Sequence, residues 1–345
     1  MYEQLSEITI VILTRNRHSK LKKVIDYWSK IPVKLLIVDE TKVDLIISSK
    51  FTEIKYINLR QPIRERMIFA ANQIDTPYAI LISDDELLIP SALITMLKEL
   101  KNDSSLSCVG GVTLAVWKYG FRTCGLWAYQ KTFSWNIREE DIISRFKNIA
   151  NYSNDVPRVS FMWYNLFKTE VFKSILRVTG SLNIQGSEAT SLLIAPAAGQ
   201  IMYIPEIYSI RNWNFKPLST PQVDRHFNIA HYFKFAVNDM NLEKLKTEFQ
   251  KWGDKSQFYF AFGVVMKIMW DSSDKLVSQN FHSNLIYTIQ NYKVMITLKY
   301  LFKSIFLRKL LPPKFITELS RMSNSGVKFH YGEVKNAIKF VNQCK

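Results

Sequence analysis

The stretch Tyr78–Pro90 reads Tyr-Ala-Ile-Leu-Ile-Ser-Asp-Asp-Glu-Leu-Leu-Ile-Pro. An apolar strand stops here on three consecutive acids, and a helix is predicted to begin at Pro90 or Ser91. Neighbouring carboxylates repel each other unless a cation lies between them, and a hard divalent ion with oxygen ligands is the usual candidate. The alternative is a solvated turn whose acids cap the following helix. The residues elsewhere in the chain distinguish a metal site from a solvated turn.

Two earlier apolar runs are typical of strands that are buried on both faces, and each ends in polar residues. The first run, Ile8–Leu13, is followed by the segment Thr14–Arg17 and then by a helical pattern over Ser19–Lys30. The second run, Val33–Val38, is closed by two acids, Asp39 and Glu40.

The alternation of strands and helices continues toward the acidic stretch. A third strand is predicted over Ile54–Leu59, a helix over Pro62–Ile74, and a further strand over Leu106–Val116. This order predicts a parallel sheet with crossover connections. Ligands of such sheets bind beyond the carboxyl ends of the strands, which is where the polar residues would converge.

Four ordered pieces of the chain resemble GT-A glycosyltransferases of the inverting family 2 type. They are Leu13–Arg17, Val38–Glu40, Ser83–Glu86 and the segment Ser187–Arg211. The resemblance implies an α/β fold with a Rossmann-like, mixed and mostly parallel sheet flanked by helices over residues 1–220. Within it, residues 1–116 would form the nucleotide half and residues 117–220 the acceptor half.

The resemblance also implies roles for individual residues. It implies that Asp85 and Glu86 bind a metal, Mn²⁺ or Mg²⁺, and that Glu188 is the catalytic base at the start of a helix over Ser187–Ala198. The predicted nucleotide-binding residues are Thr14, Arg15, Arg17, Asp39, Arg64, Asp84 and Arg211.

Several of these assignments leave an alternative open. The family usually has two Asp residues separated by one residue, whereas Ser83 takes the first place here if Asp85 is aligned with the second. Either Asp85 alone holds the ion, with Asp84 or Glu86 assisting, or the register is shifted by one. Glu188 is alternatively an ordinary first-turn residue that the helix dipole favours.

Arg211 stands where many family members carry a histidine. An arginine cannot ligate a metal, but its planar fork can neutralise diphosphate oxygens. A surface arginine on a polar loop is the alternative.

Two aromatic stretches lie between these motifs. The segment Trp117–Trp135 carries seven aromatic residues, which would form either a sugar-stacking acceptor pocket or part of a core. The segment Phe161–Tyr164 is predicted to be an ordinary buried strand.

The pattern changes after Pro221, where helical spacing prevails over Phe227–Val237, Phe258–Trp270 and Leu285–Leu310. A helical and basic C-terminal domain is therefore predicted over residues 221–345. Its segment Lys275–Thr317 contains no Asp or Glu but several Lys and Arg residues among apolar ones. It would lie on an anionic membrane surface or, alternatively, form a packed helix with a basic solvent face.

Composition bounds the remaining choices. With 345 residues, of which 47% are hydrophobic, the chain can bury sizeable cores. The three cysteines are widely spaced and suit a reducing compartment. Neither a signal peptide nor a run of eighteen apolar residues is recognised. We therefore predict a cytoplasmic protein. It would either be free in the cytoplasm or attach peripherally to the cytoplasmic face of the membrane.

These observations predict a metal-dependent, inverting glycosyltransferase that acts in bacterial surface polysaccharide or lipopolysaccharide synthesis. Its partners would be a nucleotide-sugar donor and a glycan or lipid-linked acceptor, with contact to anionic membrane. A nucleotidyltransferase is the enzymatic alternative, but its glycine-rich phosphate loop is missing from Thr14–Lys20. A catalytically inactive glycan- or nucleotide-binding scaffold is another alternative. The net charge of +16 also fits nucleic-acid binding, but no recognised motif accompanies it, so no nucleic-acid partner is predicted.

Overall fold

The structure is a computed structural model that describes residues 2–45, 52–119, 122–128, 136–153, 159–181, 187–212, 239–268, 327–328 and 330–343. It describes the backbone alone for residues 117–119, 122–128, 152–153, 159–161, 187–188, 212, 239–241 and 340–343.

One sheet organises the described chain. Its nine strands are β1 (Ile8–Thr14), β2 (Lys34–Asp39), β3 (Glu53–Asn58), β4 (Tyr78–Ile82), β5 (Glu86–Leu88), β6 (Leu106–Tyr119), β7 (Arg122–Ala128), β8 (Leu166–Lys168) and β9 (Gln200–Asn212). The strand order is β3-β2-β1-β4-β8-β6-β9-β5, and β7 pairs with β6.

The α-helices connect and flank these strands. They are α1 (His18–Trp28), α2 (Ile63–Gln73), α3 (Pro90–Asn102), α4 (Ile142–Ser153), α5 (Thr169–Ser181), α6 (Ser187–Ala198), α7 (Asp239–Phe249), α8 (residues 255–268) and α9 (Tyr331–Gln343). Two 3₁₀-helices span Glu3–Glu7 and Val159–Tyr164.

The sheet is parallel at one end and mixed at the other. Strands β3, β2, β1 and β4 are parallel to one another, whereas β8 runs antiparallel to both β4 and β6. Strand β9 then pairs with β6 in parallel, and β5 pairs with β9 antiparallel. The predicted α/β fold with a mixed sheet between helices is confirmed.

Each face of the sheet is covered by its own hydrophobic core. On one face α1, α3 and α9 pack onto the sheet, with Trp28, Leu93 and Val334 buried among strand residues. On the other face α2, α4, α5, α6, α7 and α8 contribute, with Phe146, Phe172 and further large side chains buried. This two-sided burial explains why β1 and β2 are continuous apolar runs rather than alternating ones.

Most predicted elements of the first 116 residues are confirmed, but the turn at Glu86 and the later segment Phe161–Tyr164 differ from the prediction. Glu86 is not a turn residue before a helix, because Glu86–Leu88 form the short strand β5 at the edge of the sheet. The predicted strand over Phe161–Tyr164 is wrong, since Val159–Tyr164 form a 3₁₀-helix. Apolar runs this short carry no reliable period, so strands and helical turns look alike in the sequence.

The described part of the C-terminal third is helical, as predicted. The helix predicted over Phe258–Trp270 corresponds to α8, and α7 and α8 bury Phe249 and Phe258 in the second core. The predicted helices Phe227–Val237 and Leu285–Leu310, the basic segment Lys275–Thr317 and the boundary between residues 220 and 221 lie outside the described residues. In the described parts, no helix is long and apolar enough to cross a membrane.

Helix α9 is attached to the N-terminal part of the chain through Glu333. Its carboxylate accepts hydrogen bonds from the Tyr2 hydroxyl (2.8 Å), from the backbone N–H of Ser91 (3.0 Å) and from the Ser91 hydroxyl. Ser91 lies in the first turn of α3, whose N–H groups have no partners within the helix. A residue from the end of the chain therefore caps a helix that follows the acidic stretch.

Replacement Glu333→Ala should lower the free energy of unfolding by about 1–3 kcal/mol, because it leaves the Ser91 N–H and the Tyr2 hydroxyl without this acceptor. Urea unfolding followed by circular dichroism measures the change. The matched control is Glu65→Ala on the exposed side of α2, which should change stability by less than about 0.5 kcal/mol. Equal stabilities of the two variants would contradict the capping role.

Candidate functional site

A cavity of about 750 Å³ opens at the carboxyl ends of β1 and β4. These two strands are neighbours, yet the chain leaves β1 toward β2 and β3 on one side before it returns to β4 on the other. Such a reversal of strand order is the usual place for a ligand crevice in an open α/β sheet. Apolar side chains such as Leu13, Ile63 and Met67 form part of its wall. The polar and aromatic part of the wall consists of Thr14, Arg15, Arg17, Glu40, Arg66, Ser83, Asp84, Trp163 and Tyr164.

Asp84 joins the two strand ends at the cavity. Its Oδ2 accepts a hydrogen bond from the Thr14 hydroxyl (2.7 Å), and its Oδ1 accepts one from the Arg17 guanidinium (2.9 Å). The carboxylate is buried, so these two donors replace the water that it loses. Hydrogen bonding and charge attraction from Asp84 raise the pKa of Arg17 above its ordinary value. The Arg17 cation is therefore held at the cavity by a buried anion.

Asp85 points to a different partner. Its Oδ2 accepts a hydrogen bond from the Lys20 ammonium (2.7 Å) and lies 3.8 Å from the Arg17 guanidinium. The side chain is 19% exposed. Of the residues that the structure describes, none donates a hydrogen bond to the other oxygen, Oδ1. Asp85 is thus the acid of the cluster that keeps an accessible lone pair.

Glu86 turns away from both aspartates. Its carboxylate forms an ion pair with Arg211, its register partner on β9, and accepts a hydrogen bond from the backbone N–H of Ser83 (3.1 Å). The Arg211 guanidinium lies 4.5 Å from the centre of the Tyr164 ring, in a cation–π contact. Glu86 therefore closes the Ser83–Glu86 turn and positions Arg211 beside an aromatic wall of the cavity.

Whether these acids can bind a divalent ion depends on which of their carboxylate oxygens already contact protein donors. Among the described residues, no three His, Cys, Asp or Glu side chains converge as a metal-binding group. Asp84 and Glu86 are buried and use their oxygens for protein donors, which leaves Asp85 as the one candidate ligand of the three. Mg²⁺ and similar ions often take one or two protein carboxylates and obtain further ligands from substrate phosphates. The described residues fit a site in which Asp85 shares the ion with substrate phosphates, and they do not fit a site made of several protein ligands. The metal role of Asp85 and Glu86 stays a prediction.

Asp39 organises the end of β2 rather than lining the cavity. It is fully buried and accepts four hydrogen bonds, from the N–H (2.8 Å) and hydroxyl (2.5 Å) of Thr41, from His18 (2.6 Å) and from the Tyr56 hydroxyl (2.8 Å). Burial by itself raises the pKa of Asp39, but these hydrogen bonds outweigh it and hold the pKa below its ordinary value. Burial and the bond to Asp39 together raise the pKa of Tyr56 to about 12.

Arg66 is the basic residue of α2 that reaches the cavity. It is 3% exposed, and its guanidinium donates to the carbonyl oxygens of Thr14 (2.7 Å) and Val38 (3.3 Å) and to the Glu40 carboxylate (2.9 Å). Burial lowers the pKa of Arg66, although the charge of Glu40 opposes this effect. Arg15 contacts the same Glu40 carboxylate at 3.5 Å. One buried arginine thus ties the ends of β1 and β2 together and fixes the acid that faces the cavity.

The predicted site residues fall into four groups. Thr14, Arg15, Arg17 and Asp84 line the cavity, and Asp85, Asp39, Glu86 and Arg211 surround it through the contacts described above. Arg64 is exposed and does not line the cavity, because α2 turns Arg66 toward it instead. The side chains of Glu188 and of the aromatic segment Trp117–Trp135 lie outside what the structure describes.

Sequence reasoning missed several members of the site, namely His18, Lys20, Tyr56, Arg66, Trp163 and Tyr164. His18 and Lys20 belong to the first turn of α1, directly after the predicted motif Thr14–Arg17. This position next to the motif is the sequence feature that could have identified them as members of the site. No sequence pattern indicates that a tyrosine of β3 or the 3₁₀-helix Val159–Tyr164 would reach the same place.

No family model and no curated protein matches this sequence. Several solved structures are similar in part. Two are crystal structures of S. aureus TarS 1-349, one of them in complex with UDP-GlcNAc. They share 9% and 11% identity with this chain, cover 79% and 78% of it and 91% and 83% of their own chains, and both have TM-scores of 0.45.

A third similar structure is the mannosyltransferase PcManGT from Pyrobaculum calidifontis in complex with GDP-Man and Mn²⁺. It is 10% identical, with 88% of each chain covered and a TM-score of 0.42. All three TM-scores lie below 0.5, so the fold described above rests on the strand order of this chain itself.

The variant Asp39→Asn should be less stable than the wild type by about 2 kcal/mol or more at pH 7, because an amide cannot accept all four hydrogen bonds. The pKa of Asp39 is lowered in the folded state, so its contribution is present above the ordinary carboxyl pKa of about 3.9 and is lost as the pH falls below it. Urea unfolding at pH 7 and at pH 3 should therefore show a difference that shrinks in acid.

The control is Asp26→Asn on the exposed face of α1. This variant should match the wild type at both pH values. A difference between wild type and Asp39→Asn that stays constant from pH 7 to pH 3 would rule out the ionised, fourfold hydrogen-bonded state of Asp39.

Proposed function

We propose that this chain is a glycosyltransferase that binds a nucleotide-sugar donor in the cavity at the ends of β1 and β4. The observation that carries the proposal is the cavity itself, which lies at the reversal of strand order and is lined by the exposed guanidinium groups of Arg15 and Arg17. Guanidinium groups are well suited to phosphate oxygens. We assign the GT-A fold to residues 1–220 on this ground together with the four ordered motifs.

We assign the nucleoside end of the donor to the side of the cavity formed by β1 and β2. Glu40 presents its carboxylate there, held by Arg66 and Arg15, and the Thr14 hydroxyl lies on the same side. A fixed carboxylate can accept hydrogen bonds from the N–H groups of a base or from ribose hydroxyls. Asp39, whose oxygens are all engaged, would act by fixing the ends of β2 and β3 behind this wall.

We assign the diphosphate to the edge of the cavity where α1 begins. Arg17 lies at the start of this helix and Lys20 in its first turn, so both cations stand beside backbone N–H groups that have no partners within the helix. Breaking the bond between sugar and phosphate leaves negative charge on the phosphate oxygens, and fixed cations stabilise that charge as it develops.

The proposal includes a divalent ion, Mn²⁺ or Mg²⁺, with Asp85 as its protein ligand. Such an ion, when bound, acts as a Lewis acid toward the departing diphosphate. The formal charges of the residues around the cavity support the presence of such an ion. Its five basic residues, Arg15, Arg17, Lys20, Arg66 and Arg211, are balanced by five acidic ones, Asp39, Glu40, Asp84, Asp85 and Glu86. An anionic donor that enters a balanced site requires an additional cation.

We assign the catalytic base of an inverting transfer to Glu188. It lies in the first turn of α6, and α6 packs against the 3₁₀-helix Val159–Tyr164, which contributes Trp163 and Tyr164 to the cavity wall. A base at this helix could take the proton of the acceptor hydroxyl as the sugar is transferred. The acceptor that we propose is a glycan or a lipid-linked glycan of bacterial surface polysaccharide or lipopolysaccharide synthesis, met at the cytoplasmic face of the membrane.

The donor class is tested by thermal unfolding of the full chain with UDP, GDP and CMP, each with Mn²⁺. A ligand present at about one hundred times its Kd stabilises by about 2.7 kcal/mol, which corresponds to a rise in Tm of several degrees. We expect one of the nucleotides to produce this rise. A panel in which none raises Tm would refute nucleotide binding in the cavity.

Transfer is tested with sugars of the stabilising nucleotide, by release of the nucleoside phosphate with and without a glycan acceptor. Glu188→Gln should lower turnover by about 10²–10⁴-fold and leave the nucleotide-induced rise in Tm unchanged. The matched control is Glu170→Gln, because Glu170 occupies the first turn of α5 in the same way. Full turnover by Glu188→Gln would remove Glu188 from the mechanism, and nucleotide binding without turnover by the wild type would favour an inactive scaffold.

A further inference from the structure

We propose that Lys20 is the resident counter-ion of Asp85 and has to leave this carboxylate before a divalent ion can bind there. The inference deepens the proposed function and rests on it. It predicts that the free protein has little affinity for the metal and that metal and donor bind together.

Lys20 and Asp85 form a direct ion pair. The Lys20 ammonium lies 2.7 Å from Oδ2 of Asp85, and the Lys20 side chain is 22% exposed. Arg17 lies 3.8 Å from the same oxygen, although its nearer partner is Asp84 at 2.9 Å. Asp85 thus already holds a cation on Oδ2, beside the oxygen Oδ1 at which a metal would bind, and a second cation stands close by.

The two cations near Asp85 differ in how firmly they are held. Arg17 is fixed by a buried carboxylate, since Asp84 also accepts a hydrogen bond from Thr14. Lys20 has Asp85 as its one ion-pair partner among the described residues. Its ammonium is a point charge on a flexible stem, so it can change partners without disturbing α1. Lys20 is therefore the cation that can move away from Asp85.

Metal and donor binding would let Lys20 exchange its partner. A divalent ion placed at Asp85 would meet the ammonium as a like charge at short range, and this repulsion opposes its binding. A donor diphosphate provides oxygens that can accept both the metal and the displaced ammonium. Lys20 then moves from a carboxylate to a phosphate, and every charge remains paired. By linkage, the donor should strengthen metal binding by the same factor as the metal strengthens donor binding.

The test measures Mn²⁺ binding to the full chain by the loss of the electron paramagnetic resonance signal of free Mn²⁺. Lys20→Met removes the ammonium and keeps the apolar stem. It should bind Mn²⁺ about tenfold more tightly than the wild type in the absence of nucleotide. The matched control is Lys22→Met, which removes the same charge from an exposed position on α1 and should bind like the wild type. Equal affinities of wild type and Lys20→Met would overturn the inference.

Further variants test whether the tighter Mn²⁺ binding of Lys20→Met takes place at Asp85. Adding Asp85→Asn to Lys20→Met should abolish the tighter binding, and tight binding that persists would locate the ion elsewhere. Lys20→Gln repeats the measurement if Lys20→Met unfolds at a lower temperature. It should also bind Mn²⁺ more tightly than the wild type.

Titration of Mn²⁺ with UDP or GDP present separates this inference from the proposed function. The nucleotide should tighten Mn²⁺ binding more in the wild type than in Lys20→Met, because the ammonium must be displaced in the wild type alone. If none of UDP, GDP and CMP changes Tm or Mn²⁺ affinity, the proposed function fails. If a nucleotide binds but the two proteins respond to the same extent, the role of Lys20 fails while the proposed function stands.

Discussion

The site depends on one electrostatic constraint: acids at the ends of strands cannot be buried without partners. Asp39, Asp84 and Glu86 are all buried, and each accepts hydrogen bonds or ion pairs from a different element. An unpaired buried charge would cost several kcal/mol, so these partners fix how the strand ends, the first turn of α1 and the edge strand β5 meet. The same contacts that stabilise this edge of the sheet also place basic groups around the cavity.

The constraint also decides which residues are available for chemistry. Buried acids that are fully hydrogen-bonded, such as Asp39, serve as supports. Glu40 and Asp85 are the acids of this edge that keep partial exposure, 21% and 19% of their side chains, and each is held by basic residues. The division between supporting and reacting groups therefore follows from burial and hydrogen bonding rather than from the type of residue. This is why two adjacent acids, Asp84 and Asp85, can have different roles in the same site.

Much of the fold could be predicted from the sequence because long buried strands leave a strong signal. The runs that became β1, β2 and β4 are continuous and rich in branched apolar residues, and their polar ends mark the cavity. Short elements such as β5 and the 3₁₀-helix Val159–Tyr164 were not predicted, since three to six residues show no period. The choice of Arg66 over Arg64 and the capture of Asp85 by Lys20 depend on tertiary contacts that local sequence does not encode. The attachment of α9 through Glu333 spans almost the whole chain and was beyond any local pattern.

The central claim is that the cavity between the ends of β1 and β4 receives a nucleoside diphosphate. A crystal structure of the full chain grown with Mn²⁺ and the nucleoside diphosphate that raises its Tm tests this directly. We expect density for the base and ribose beside Glu40 and Thr14, and for the phosphates within hydrogen-bonding distance of Arg17. Nucleotide density at another place on the molecule, with this cavity holding only solvent, would contradict the claim.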